Sequence, residues 1–178
     1  MSNSITNRKN YSYEEYSDKR LRMSNGLTDV FIQVLSINAS HLAQTDAEID
    51  FAIWIASHDQ AIQGRGIMGF DISALPWSIE NFEAEKKFLL RAVDSAKAKH
   101  YWDMLGYEPR EETVLRSLEK FRELIEDFTI ELINRDNLWL LVYKGGAMSK
   151  PAKGEKCSVH GIYLHEVGCV LCFDGSIL

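Results

Sequence analysis

All three cysteines of the 178-residue chain fall in one short stretch near its C terminus, Cys157-Ser-Val-His160-Gly-Ile-Tyr-Leu-His-Glu-Val-Gly-Cys169-Val-Leu-Cys172. Two chelating pairs, Cys-x2-His and Cys-x2-Cys, stand eight residues apart. A two-residue gap lets a tight turn aim both side chains at one point, and three thiolates with one imidazole complete the closed tetrahedral shell of a structural zinc site. An odd number of cysteines confined to this pattern argues against a disulfide framework. Gly161 and Gly168 flank the pairs where such turns need a positive φ or a close backbone approach. The expectation is that Cys157, His160, Cys169 and Cys172 hold one structural Zn2+ and fold residues 157–178 as a small zinc-binding module. His165 is the reserve ligand if His160 points away. His165 and Glu166 also offer acid–base groups, but four protein ligands close the shell, and so short a segment builds no substrate cavity.

Upstream, apolar spacing predicts a mainly α fold: an antiparallel helical body with a short strand or hairpin. With 46% hydrophobic residues the chain can bury one real core. Residues 1–26 show no sustained period and read as an N-terminal arm, packed loosely through Tyr11, Tyr13 and Tyr16. Residues 27–42 suit a helix by spacing and a strand by their β-branched run Val30, Ile32, Val34. Thr45-Asp-Ala-Glu48 is a capping box that opens a helix expected to reach about Ile62. Gly69–Trp77 reads as a short strand or irregular connection. Ser78 is placed to cap a helix ending near Leu105, with Gly106 to stop it. Pro109 opens the next, whose stripe Val114, Leu118, Phe121, Ile125, Phe128 and Leu132 predicts a helix to Asn134, antiparallel to its neighbour. Leu138–Tyr143 is apolar on both faces, strand or helix. Residues 144–156 read as a linker separating the body (27–143) from the zinc module.

Other motifs fail on context. Gly64-Arg-Gly66-Ile-Met-Gly69 matches the dinucleotide fingerprint in letters, but it follows a helix rather than a strand, so an interhelical turn is expected. Ser57-His58-Asp59 has the residue types of a hydrolase triad, yet adjacent helical side chains diverge by about 100°. His41 and His100 are isolated, and Trp54, Trp77, Trp102 and Trp139 lie near apolar stripes as packing residues. With no convergent catalytic set, an enzyme is not expected. No apolar run approaches the roughly 18 residues of a membrane span, and the first 26 residues lack signal-peptide character. A cytoplasmic location is expected.

Charge is unevenly placed. Residues 27–143 carry eleven Lys/Arg against twenty Asp/Glu, whereas both ends are slightly basic. An acidic body repels nucleic-acid backbone and attracts basic partners. Glu119, Glu123, Asp127 and Glu131 recur every four residues beside the core stripe, a carboxylate ladder suited to a basic protein partner. The helical body with Gly-Phe-Asp-Ile-Ser-Ala-Leu-Pro-Trp (69–77) and the ending C-x2-H-G-x-Y-L-H-x2-G-C-x2-C resemble small immunity proteins of bacterial contact-dependent or polymorphic toxin systems, over roughly the last 110 residues. That resemblance implies a cytoplasmic inhibitor that covers a basic, nucleic-acid-binding toxin domain, a nuclease above all. The alternative is a zinc-containing nucleic-acid-binding regulator using Lys144, Lys150, Lys153 and Lys156.

Overall fold

The structure, a computed structural model, describes residues 3–7, 19–134 and 154–172. Tyr11, Tyr13, Tyr16, Trp139, the 138–143 segment and residues 144–153 of the expected linker lie outside the described residues.

The stretch 27–42, which fitted two periods, is helix α1 (Asn25–Leu42), with the Ser24 side chain accepting from the Leu27 amide. From Phe31 to Ser40 every residue but Gln33 is buried, because α2 (Asp46–Ala56), α4 (Phe82–Lys97) and α5 (Glu111–Glu126) all pack against it. A helix enclosed around its circumference needs no polar face, so its sequence loses the one-sided stripe that marks surface helices. Buried Asn38 is satisfied in place: its Nδ2 donates to the Val34 and His100 carbonyls at 2.8 and 3.2 Å, and its Oδ1 accepts from Ser95 Oγ at 2.6 Å.

The capping box of α2 forms as read: the Glu48 amide donates to Thr45 Oγ1 and the Thr45 amide to Glu48 Oε2, at 3.3 and 3.1 Å. The helix stops at Ala56 rather than Ile62. Ser57 Oγ and His58 Nδ1 both turn back to the Trp54 carbonyl, at 2.7 and 2.8 Å. Asp59 then caps a new short helix, α3 (Gln60–Gln63), by accepting from the Ala61 amide.

The expected N-terminal arm is corrected where it is described. Residues Asn3–Thr6 form β1, antiparallel to β2 (Arg20–Met23) and parallel to β3 (Gly69–Asp71), in the order β2-β1-β3. Alternate residues Ile5, Leu21 and Met23 point into the core. Buried Asn3 ties the sheet to α1 and α3, its Nδ2 donating to Thr28 Oγ1 and Gln60 Oε1 at 2.8 Å each. Four-residue strands are too short to show a period, and β1 pairs with β3 across 65 positions, which local reading does not register.

The antiparallel pair α4 and α5 is shorter than its spacing suggests. Ser78 caps the turn before α4: its Oγ accepts from the Asn81 amide and donates to buried Glu85 at 2.8 Å. At the other end Lys99 adopts φ 62°, and the Lys99 and His100 amides bond the Ala96 and Ser95 carbonyls, a Schellman closure with lysine in the position usually held by glycine. Trp102–Leu105 is a separate 3-10 turn, and Gly106 ends that turn rather than the helix. Val114, Leu118, Phe121 and Ile125 of the stripe are buried in α5, as is Phe128 just past its end, and Phe121 meets Phe31 edge-on at 5.4 Å. The helix ends at Glu126. Half-buried Leu132 sits on the following 3-10 turn, Ile130–Leu132.

Candidate metal centre

Two tight turns present the four donors. In the first, the Cys157 amide bonds the Ile162 carbonyl and the Gly161 amide bonds the Cys157 carbonyl, both at 2.8 Å, and Lys156 bridges Tyr163 in antiparallel fashion. Gly161 closes this turn at φ 65°. In the second, His165 bridges Gly168, which takes φ 123°, and the Cys172 amide bonds the Cys169 carbonyl at 3.1 Å. The turns match in one further respect. Cys157 sulfur receives the amides of Val159 and His160, and Cys169 sulfur those of Leu171 and Cys172. Each turn thus aims its second and third following N–H groups at the leading sulfur, where they favour thiolate.

The four donor atoms all lie within 4.8 Å of one another. Cys157 Sγ is 3.6 Å from Cys172 Sγ, and His160 Nδ1 is 3.7, 3.6 and 3.3 Å from the sulfurs of Cys157, Cys169 and Cys172. Cys169 is buried, Cys157 half-buried and Cys172 exposed. Burial opposes ionisation of Cys157, but the turn amides, His160 and Cys172 outweigh it and bring that thiol down to about 6. Desolvation and the neighbouring sulfurs push Cys172 up to about 12, and burial likewise raises Cys169. Three thiols this close therefore share one easily formed negative charge, and a divalent cation among them reverses that balance and lets all three ionise. These residues can hold a metal ion.

The described segment, residues 154–172, packs on the helical body. The Tyr163 amide donates to Ser40 Oγ at 3.1 Å, and Lys156 Nζ donates to the Ser40 carbonyl at 2.8 Å while lying 4.4 Å from the Tyr163 ring centroid. Ile162, Tyr163, Cys169 and Val170 are buried in the same cluster as the helical core. A Cβ on Gly161 would stand 3.2 Å from His41 Cε1, and His41 in turn stacks on Tyr101 at 4.2 Å. His160 supplies the imidazole donor. His165 faces the body instead, its Nδ1 accepting from the Val167 amide at 3.2 Å and its Nε2 lying 3.8 Å from Asp59. Burial lowers its pKa to about 4, so it is neutral at neutral pH and the approach to Asp59 is not an ion pair. Nothing in the sequence marks Ser40, His41 and Asp59 as the residues that receive the metal segment.

The remaining candidates resolve plainly. Gly64–Gly69 links α3 to β3, a helix-to-strand connection, and Gly69 lies against the Ser4 carbonyl, 2.8 Å from where a Cβ would be. His58, pushed down to about 4 by burial, lies tilted over Trp54; its Nδ1 is 2.8 Å from the Trp54 carbonyl and 3.5 Å from Ser57 Oγ, whereas Asp59 accepts from the Ala61 amide and faces His165, so the three do not line up as a relay. Trp54 and Trp77 are buried, and Trp102 is half-buried. His100 is exposed beside Ser95. In the carboxylate ladder, Glu119 pairs with Lys97, Asp127 with Lys19, and Glu123 with Lys120 at 2.9 Å, while Glu131 lies beyond the helix on the 3-10 turn. Three of the four charges are thus matched within the chain. Among the described residues no helix is long and apolar enough to cross a membrane. Comparison of the chain with known protein families, with curated proteins and with solved structures finds no match.

Proposed function

We propose that Cys157, His160, Cys169 and Cys172 hold one structural zinc ion, and that the chain it braces is an immunity-type inhibitor that binds and neutralises a basic toxin domain, specifically a nuclease. The observation that carries the zinc assignment is the spacing of the donors. Zinc bonds of about 2.3 Å to sulfur and 2.0–2.1 Å to nitrogen set tetrahedral edges of about 3.8 Å between sulfurs and about 3.6 Å between sulfur and nitrogen. The observed separations, 3.6 Å for the Cys157–Cys172 sulfur pair and 3.3–3.7 Å for the three sulfur–nitrogen pairs, match four of the six edges of that tetrahedron, and all four donors lie within 4.8 Å of one another. Four protein ligands leave no open position for water or substrate, and two of the intervening residues, Ile162 and Tyr163, lie in the core. Both features favour a structural role. Elemental analysis should give about one zinc per chain, and Cys172→Ser should lose it. A metal-free preparation whose 155–172 segment is equally ordered refutes the assignment.

The inhibitor reading rests on charge. Twenty acidic against eleven basic residues over 27–143 give this body a field that accelerates encounter with a basic domain. Cells expressing the candidate toxin should survive only when this chain is co-expressed. For the nucleic-acid-binding alternative, Lys156 is already engaged by Ser40 and Tyr163. Tight binding of a defined RNA or DNA at physiological salt, without a toxin partner, would replace the inhibitor reading.

A further inference from the structure

Beside the start of α5 the surface opens into a groove of about 630 Å³, walled by Trp102, Asp103, Tyr107, Glu108, Pro109 and Glu111. Among the described residues two aromatic rings and three carboxylates share this wall, and neither lysine nor arginine lines it. The Tyr107 ring is 45% exposed, yet its hydroxyl donates to Gln33 Oε1 at 2.6 Å, so the ring is held in place before any partner arrives. Glu111 pairs with Lys99 at 3.0 Å. Among the described residues Asp103 and Glu108 have no ion-pair partner, in contrast to Glu119, Glu123 and Asp127 of the ladder.

We infer that this groove is the docking site for an arginine side chain of a basic protein partner, the guanidinium lying against Tyr107 and Trp102 with Asp103 and Glu108 at its edge. The chemistry is specific to that group. A planar guanidinium stacks on an aromatic face and offers forked donors to carboxylates, whereas an ammonium is more strongly hydrated and has no plane to stack. A pre-held ring lowers the ordering cost of binding. The inference deepens the inhibitor reading and rests on its claim that the partner is a basic protein, and it places the contact away from the ladder.

The test uses the zinc-loaded full chain and an arginine-rich peptide, with the same peptide carrying citrulline for arginine as the neutral control, followed by 15N amide shifts. Shifts should concentrate at residues 101–111 with the arginine peptide and vanish with citrulline. Asp103→Asn with Glu108→Gln should weaken binding roughly three- to tenfold, since each exposed charge contributes up to about 1 kcal/mol. Glu123→Gln should leave it nearly unchanged. Both substitutions are isosteric and exposed, so unchanged zinc content and melting temperature verify the fold. Shifts centred elsewhere, or a double variant that binds as the parent does, overturn the groove. Toxin neutralisation that persists with unchanged affinity in the double variant also overturns it while leaving the inhibitor reading intact. Arginine-peptide binding at the groove without any neutralisation by the parent chain supports the groove and removes that reading.

Discussion

Substituting Gly161 by alanine tests whether the metal segment and the helical body are one mechanical unit. Gly161 takes φ 65°, where an L side chain costs about 1–2 kcal/mol. Its new Cβ would stand 3.2 Å from His41 Cε1 and 3.5 Å from His41 Nε2. The imidazole cannot simply swing aside, because it stacks at 4.2 Å, nearly parallel, on Tyr101, itself held at φ 62°. The strain and the contact therefore add, to about 2–3 kcal/mol. Gly168 separates the two contributions: at φ 123° it is strained for any other residue, but a Cβ there meets nothing within 4 Å. Denaturant unfolding of the zinc-loaded protein should show both alanine variants destabilised. A cycle with His41→Ala should recover part of the Gly161→Ala loss, a coupling of about 0.5 kcal/mol or more, and none of the Gly168→Ala loss. Additivity of Gly161→Ala and His41→Ala within about 0.3 kcal/mol would refute the contact and the coupling built on it.

Phe121→Ala removes a fully buried ring packed on Phe31 and Phe70, and should cost about 3–5 kcal/mol, a drop of roughly 6–20 °C in melting temperature by calorimetry. A melting temperature equal to the parent's would place the α5 stripe outside the core. Lys99→Gly relieves a left-handed lysine at the end of α4; even with the exposed Glu111 pair lost, thermal melting should show a gain of about 0.5–1 kcal/mol, and a loss would show that the pair outweighs the strain. His58 and His165 both have pKa values lowered to about 4 by burial, so the unfolded chain takes up their protons first as pH falls from 6.5, and stability declines through that window until the folded pKa near 4 is reached. Urea titrations across it should show His165→Gln flattening the slope by up to about 1.4 kcal/mol per pH unit; an unchanged slope would mean that His165 titrates normally in the fold.

The donor set and the core stripe of α5 were legible in the sequence because both are local. A two-residue gap determines which side chains a tight turn can bring together, and a step of three or four determines which face of a helix is shared. The capping box at Thr45 was legible for the same reason, its two hydrogen bonds closing within four residues. Where α4 stops involves a tertiary contact. Nothing in Lys99 or Tyr101 announces a left-handed backbone, and the His100 carbonyl just past α4 accepts from Asn38, 62 positions away. Tertiary structure likewise decided that α1 is a helix, that the N-terminal residues 3–6 join a sheet, and that the metal segment docks on Ser40 and His41. The Tyr163–Ser40 bond spans 123 positions, and a contact of that range depends on two surfaces meeting, which leaves no period, spacing or cap in either stretch of sequence for a reader to find.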